Sequence, residues 1–270
     1  KKKLITDLDI FYLDDPEIFN IAITGTNGKS TTAKLLYDII KKSKKDVRLV
    51  GNIGNPILAE KKIKHDTIVV TEVSSFQIDY SKFFRSDFSA ILNVFPDHLE
   101  RHGNFKNYLN IKFKIFKKQK KNGVCFFESG NKIIDNLIKS NKIKNKIVRV
   151  NTNLKKNFLS KIYNINFKNI NNVKNLAFAL AISEHLNINK KNILRAIEKF
   201  EQLNFRQQII FNKKNIVIIN DSKSTSFSSS ENLLKSFKNI YWIVGGLPKK
   251  GDYFSLNKKY FSNIQSYIYG

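Results

Sequence analysis

Three groups of residues have the types and spacing to do chemistry. The first is Gly25-Thr26-Asn27-Gly28-Lys29-Ser30-Thr31. A glycine-rich turn lets the backbone approach an anion closely, and the amides at a helix start present positive potential to it. Lys29 could reach terminal phosphates, and the Ser30 hydroxyl could hold a magnesium ion. The spacing differs from the common phosphate loop: two residues separate Gly25 from Gly28, where the common pattern has four. A tight turn with a chance Gly-Lys-Ser is the alternative. The second group is Glu72, which closes an apolar run and precedes Val73-Ser74-Ser75-Phe76-Gln77. A carboxylate at a strand end beside a phosphate loop can hold magnesium, and an ordinary charged strand cap is the plainer reading. The third packs Asp97, His98, Glu100, Arg101 and His102 into six positions, with Tyr108 and Lys112 following. His98 could bind a metal through one ring nitrogen while a carboxylate orients the other. Lys112, taken alone, reads as a solvated surface lysine.

These groups need elements to position them. Residues 18–23, 66–72, 88–94, 123–127 and 146–150 read as apolar strands. Helical spacing follows the glycine loop and recurs over 105–116, 132–138, 172–186 and 190–201. Strands alternating with helices predict an α/β fold with a mostly parallel sheet covered on both faces. Ligands of such sheets bind at the carboxyl ends of the strands, which is where the glycine loop, Glu72 and the Asn93 to His98 segment fall. After 203 the pattern changes. A hairpin is expected from strands at 207–211 and 216–219, then a helix over 230–237 and a strand over 239–244.

The chain has 270 residues and a formal net charge of +26. Such a charge suggests nucleic acid or an anionic surface. The lysines, however, are spread along the whole chain among many asparagines and isoleucines, which is compositional bias rather than a patch. No RNA-binding aromatic signature, zinc-finger spacing or basic zipper accompanies them, so specific nucleic-acid binding is not expected. No apolar run is long enough to cross a bilayer. The single cysteine, Cys125, excludes an internal disulfide framework and suits a reducing cytoplasm. Methionine is absent, and residues 1–15 end in a polar turn. The expectation is a monomeric piece of a longer protein.

Read together, the motifs resemble the Mur ligase family. They are GTNGKST (25–31), GNIGNP (51–56), EVSSFQ (72–77), NVFPDHLERHG (93–103), the Tyr108-x-x-x-Lys112 helix, NINNVKN (169–175), NFRQ (204–207) and NDSKST (220–225). EVSSFQ and NDSKST are similar to the members that add D-glutamate. The resemblance implies residues 1–17 as a remnant of an N-terminal domain or linker. It implies 18–203 as the central ATP-binding domain with a P-loop, and 204–270 as the front of a Rossmann-like domain. It implies ATP and Mg2+ as cofactors. The reaction it implies joins D-glutamate to UDP-N-acetylmuramoyl-L-alanine through an acyl phosphate, in peptidoglycan precursor synthesis. A non-catalytic ATP-binding fragment of such a ligase is the alternative.

By the same resemblance, Lys29 contacts phosphates, Ser30 and Glu72 hold the first magnesium, and Asn52 lies near the γ-phosphate. His98 and Lys112 match a second metal site, where the matching lysine of relatives is carbamylated. Asn172 and Asn175 match residues around the adenine. Arg206, Asp221 and Lys223 match groups that reach ATP, and Thr225 and Lys249 match positions near D-glutamate. Asn171, Phe205 and Ser226 depart from residues common in the family.

Overall fold

We describe a computed structural model of the chain, covering residues 4–61, 63–224, 226–247 and 253–269. Thr225 and Lys249 lie outside the described residues. The chain forms two compact units. The first runs to Ile162 and takes in Lys174–Lys199, and the second comprises Tyr163–Val173 with the chain from Phe200 on.

The first unit opens with α1 (Asp7–Asp14), capped by Thr6 and Asp9 in a reciprocal capping box. Then come β1 (Phe19–Thr24), α2 (Lys29–Lys42), β2 (Val47–Gly51), β3 (Ile68–Glu72), α3 (Ser75–Tyr80), β4 (Ser86–Ile91), α4 (Leu99–His102) and α5 (Phe105–Lys117). It continues through β5 (Gln119–Glu128), α6 (Lys132–Ser140), β6 (Lys146–Val150) and the short α7 (Lys156–Leu159). Helix α8 (Ile170–His185) leads to α9 (Lys190–Glu198), which packs on α2.

The six strands form one sheet in the order β2-β3-β1-β4-β5-β6, and every pairing is parallel. Strand β1 is central and buried from Asn20 to Thr24. Its apolar run, Ile21-Ala22-Ile23, suits a strand covered on both faces. The two buried polar side chains are satisfied. Asn20 Nδ2 donates to Thr71 Oγ1 at 3.0 Å, and Thr24 Oγ1 donates to the Val73 carbonyl at 2.8 Å. Leu8 and Phe11 of α1 share a core with Ile18, Phe84, Phe113, Phe116 and Phe127. Because β1 lies between β3 and β4, the loop that leaves it is flanked by the ends of both neighbours. That is where ligands bind in open parallel sheets.

The second unit contains β7 (Gln208–Lys213), β8 (Ile216–Asn220), α10 (Phe227–Leu234), β9 (Ile240–Gly245) and β10 (Ile264–Tyr269). The expected hairpin is present: β7 and β8 pair antiparallel around Lys214 and Asn215, both at positive φ. Strands β9 and β10 form a two-stranded parallel sheet. Trp242 and Phe254 stack at 5.6 Å, and the edge of Phe227 meets Phe254 at 5.5 Å.

Strand β6 and the start of α5 fall where periodicity places them. Strands β2 and β10 and helices α1 and α3 were not expected. Strand β2 carries Arg48 and has a half-exposed face at the sheet edge, and β10 is exposed along most of its length, so neither shows an apolar run. Helix α10 runs over Phe227–Leu234, three residues earlier than the expected 230–237.

Candidate functional site

The site grows from the end of β1. After Thr24 the chain turns through Gly25–Gly28 and enters α2 at Lys29. Gly25 is closely packed: a Cβ there would lie 3.1 Å from the Leu92 Cβ, so the neighbour would have to give way. Gly28 has φ +83°, and a Cβ on it would run into the Asn175 side chain of α8. Glycine is needed at the first position for close approach and at the second for conformation as well. The first helical bond is from Thr32 N–H to Gly28 O at 2.9 Å. The preceding amides belong to the first turn of the helix, whose N–H groups have no intrahelical acceptor. Lys29 Nζ folds back to donate to the Gly25 and Thr26 carbonyls at 2.9 and 2.8 Å. Ser30, Thr31 and Thr32 are buried.

Glu72 ends β3 opposite Ile23 of β1 and Gly51 of β2. Its side chain is fully buried. Oε1 accepts from Asn52 Nδ2 at 3.1 Å, and the Asn52 N–H donates to the Glu72 carbonyl at 3.1 Å. Oε2 has no hydrogen-bond partner among the described residues. A buried, half-satisfied carboxylate is costly unless a cation or donor completes it. Glu72 with the Ser30 hydroxyl is an oxygen donor set that fits a magnesium ion.

Lys112 is where the structure departs most from a reading of the sequence residue by residue. It is not solvated but 2% exposed, on the inner face of α5. Nζ donates to the Gly25 carbonyl at 2.9 Å, lies 3.4 Å from Thr24 Oγ1, and sits 4.8 Å from the centre of the Tyr108 ring. Burial, and then the charge of Lys29, push its pKa well below 10.5 against the opposing pull of Asp97 and Glu72. Tyr108, one turn earlier, is also buried, and its hydroxyl lies 3.2 Å from Thr26 Oγ1. Burial raises the pKa of that phenol.

His98 heads α4 in a left-handed conformation, φ +52°. Nε2 and Nδ1 lie 3.5 Å from Asp97 Oδ2 and Glu100 Oε1 respectively, and the ring meets Phe76 edge-on at 5.2 Å. His102 is the buried member of the pair. Its Nε2 is 3.1 Å from Ser75 Oγ, and burial lowers its pKa. Among the described residues no three His, Cys, Asp or Glu side chains come close enough to hold a metal. A metal held here would need oxygen donors of another kind, from a hydroxyl or a modified lysine.

The structure thus brings Gly25 to Thr31, Asn52, Glu72, Lys112 and Asn175 to one end of the sheet. Asn172 is buried, with Nδ2 donating to the Asn166 carbonyl at 2.8 Å. In the second unit, Asp221 Oδ1 accepts from Gln207 N–H at 3.0 Å and Oδ2 from Ser224 Oγ at 2.8 Å. Burial raises the Asp221 pKa against those bonds and the nearby Arg206. Lys223 N–H donates to Phe205 O at 2.9 Å. Sequence reasoning placed Asn93 at the strand end without giving it a role, although its side chain holds Asn27 at two points, 2.9 and 3.0 Å.

A parallel sheet with a glycine loop, a helix start and a buried carboxylate at one end defines an α/β protein of the P-loop type. Residues 23–199 match the family described as Mur ligase middle domain. The chain belongs to the Mur ligase family. It is 35% identical over 285 residues to the UDP-N-acetylmuramoylalanine--D-glutamate ligase of Rickettsia felis, covering 99% of this chain and 63% of that protein. It is likewise 35% identical over 274 residues to the ligase of the same name from Francisella tularensis subsp. novicida, covering 100% and 64%. The chain therefore spans a little under two thirds of the length of these relatives. Among solved structures, MurF from Acinetobacter baumannii superposes with a TM-score of 0.71 at 17% identity, over 91% of this chain and 60% of that one. MurF ligase from Thermotoga maritima in complex with ADP gives 0.67 at 15% identity, over 89% and 62%. These two likenesses concern the fold.

Proposed function

We propose that the chain is the nucleotide-binding portion of an ATP-dependent ligase that joins D-glutamate to UDP-N-acetylmuramoyl-L-alanine, a step of peptidoglycan precursor synthesis. The observation that carries the reading is the buried Glu72 carboxylate. Among the described residues one of its oxygens has no partner, at the strand end beside a glycine loop whose helix-start amides and lysine suit phosphates. The names of the relatives at 35% identity support the choice of substrates.

A carboxylate is a poor acyl donor, so the reaction must first give it a leaving group. In the proposed sequence the alanyl carboxylate oxygen attacks the γ-phosphorus of ATP and ADP departs. The amine of D-glutamate then attacks the acyl carbon, phosphate leaves, and the ammonium proton is lost. Bringing two anions together is the difficulty, and cations placed where charge develops reduce it. Lys29 would turn from its loop carbonyls to the phosphates. Ser30 and Glu72 would hold magnesium, which supplies charge neutralisation at the phosphates. Asn52 already holds Glu72 Oε1, and it would lie near the γ-phosphate.

Lys112 suits carbamylation. Burial favours its neutral amine, the form that adds to carbon dioxide, and the product is an anion able to bind a second metal with His98. Asn172 and Asn175 would lie around the adenine. Arg206, Asp221 and Lys223 are the proposed contributions of the second unit to ATP, and Thr225 and Lys249 those to D-glutamate.

Phosphate release by a full-length version of the protein tests the proposal, with ATP, magnesium, UDP-N-acetylmuramoyl-L-alanine and D-glutamate all present and then with each omitted. Release that requires all four supports it. Release indifferent to D-glutamate, or to the nucleotide-linked substrate, refutes the substrate assignment.

A further inference from the structure

We propose that Asn93 is a positioning residue for the phosphate loop, which it clamps from a neighbouring strand and so fixes which amides face the nucleotide. The proposal rests on the MgATP reading and goes one step deeper. Its starting point is the short loop. With two residues between Gly25 and Gly28, this loop lacks the length by which a common phosphate loop wraps its anion. Something else must hold its shape.

The exit of β4 does so. Leu92 N–H donates to the Thr24 carbonyl at 3.0 Å, and the Leu92 Cβ would lie 3.1 Å from a Cβ at Gly25. Next, the Asn93 side chain takes both ends of Asn27. Its Oδ1 accepts from Asn27 N–H at 2.9 Å, and its Nδ2 donates to the Asn27 carbonyl at 3.0 Å. The Asn93 carbonyl also accepts from Thr26 N–H at 3.1 Å. Two residues on, Phe95 N–H donates to Thr26 Oγ1 at 2.9 Å. The amides of Thr26 and Asn27 are thereby committed to the β4 exit. The helix-start amides, from Gly28 on, are the ones that face the position an anion would take.

A primary amide is the one small side chain that can donate and accept in a single plane. Aspartate keeps the acceptor but not the donor, and alanine keeps neither. A purely structural asparagine would stabilise the fold without affecting nucleotide affinity, so the two roles separate.

The experiment uses the whole chain and two variants, Asn93→Ala and Asn93→Asp, with melting temperature, amide exchange at Asn27 and MgATP affinity by calorimetry. In the wild type the Asn27 amide is expected to be protected without nucleotide. Asn93→Ala should lose that protection and bind MgATP about tenfold more weakly or worse, the tenfold being about 1.4 kcal/mol. Asn93→Asp should keep the protection, so a well-folded control remains if the alanine variant is unstable. It should nevertheless bind MgATP no better than Asn93→Ala, because a carboxylate there repels phosphates. Variants that melt lower but bind MgATP as the wild type does would overturn the proposal. If the wild type itself does not bind MgATP, the nucleotide reading falls. The clamp is then decided by the Asn27 amide alone, and exchange as fast in the wild type as in Asn93→Ala overturns it.

Discussion

Asp9 offers the most quantitative test of how the first unit is held together. Its carboxylate is fully buried on α1 and faces the turn after α3. Oδ1 accepts from Ser81 Oγ at 2.7 Å, Phe83 N–H at 2.8 Å and Phe84 N–H at 2.9 Å, while Lys82 N–H donates to Oδ2 at 2.9 Å. Burial alone would raise its pKa, but the bonds from Phe84, Lys82, Ser81 and Phe83 together outweigh it and bring the value from 3.8 to about 2. At about 1.4 kcal/mol per tenfold, that drop makes a contribution of about 2.5 kcal/mol. The folded pKa is the lower one. The contribution is therefore fully present above pH 3.8 and is lost as pH falls through about 2. In Asp9→Asn one oxygen becomes an NH2 group pointed at backbone N–H donors. The expected loss is about 2–4 kcal/mol, from charge-assisted bonds that are removed and a buried donor left unmatched. The assay is urea unfolding of both proteins from pH 7 down to pH 3, followed by far-ultraviolet dichroism and by exchange at Phe83 and Phe84. Fluorescence would mislead, since the only tryptophan, Trp242, belongs to the second unit. The gap between the two proteins should be constant near neutrality and narrow below pH 4. A gap under about 0.5 kcal/mol, the range of ordinary surface changes, or one that does not change with acid, would refute the reasoning.

Three further outcomes follow from the site. Lys29→Ala should weaken MgATP at least about tenfold by removing a charge partner of the phosphates; equal affinities in calorimetry would contradict this. Glu72→Gln should leave the nucleotide-free protein as stable as before, or more so, since a buried unpaired carboxylate oxygen is relieved. The magnesium dependence of its ATP affinity should fall away, and an unchanged magnesium titration would count against Glu72 as a metal ligand. In a full-length version of the protein, Lys112→Ala should abolish acyl-phosphate formation, with partial recovery on adding short carboxylic acids that replace the carbamate. Full activity without additives would rule that role out.

The part of the site legible in the sequence is the part made by neighbours along the chain. A strand, a glycine turn and a helix start are local, so Gly25 to Thr31 could be read directly, and Glu72 followed because a strand visibly ends there. What was illegible depends on distance through space. Nothing local says that Asn93 will hold Asn27, or that the Asn175 side chain will press on Gly28. Lys112 is the sharpest case. Its residue type predicts solvent, and only the packing of α5 against α3 and β4, with Nζ turned to the loop, buries it. Edge and exposed strands fail for the opposite reason: β2 and β10 lack the apolar run by which β1 was found.

The charges around the loop give Lys112 its significance. After burial, the Lys29 charge disfavours a protonated Lys112 amine, while Asp97 and Glu72 favour it. A protonated Lys112 would place a second cation in a buried site, where two like charges disfavour one another most. The same burial that depresses its pKa leaves its nitrogen lone pair available for carbon dioxide. Under the carbamate reading, the modification replaces an amine that cannot bind a divalent ion with an oxygen anion that can. The described residues supply no cluster of three conventional ligands, here or elsewhere. A glutamate at this position would, whenever metal was absent, either repel the phosphates as an anion or be driven by burial to the neutral acid. A lysine carries no negative charge until carbon dioxide modifies it, so the negative charge of the site can arrive together with the metal that compensates it. Depletion of carbon dioxide should therefore weaken metal-dependent steps while leaving the fold, and the Lys112 bond to the Gly25 carbonyl, intact.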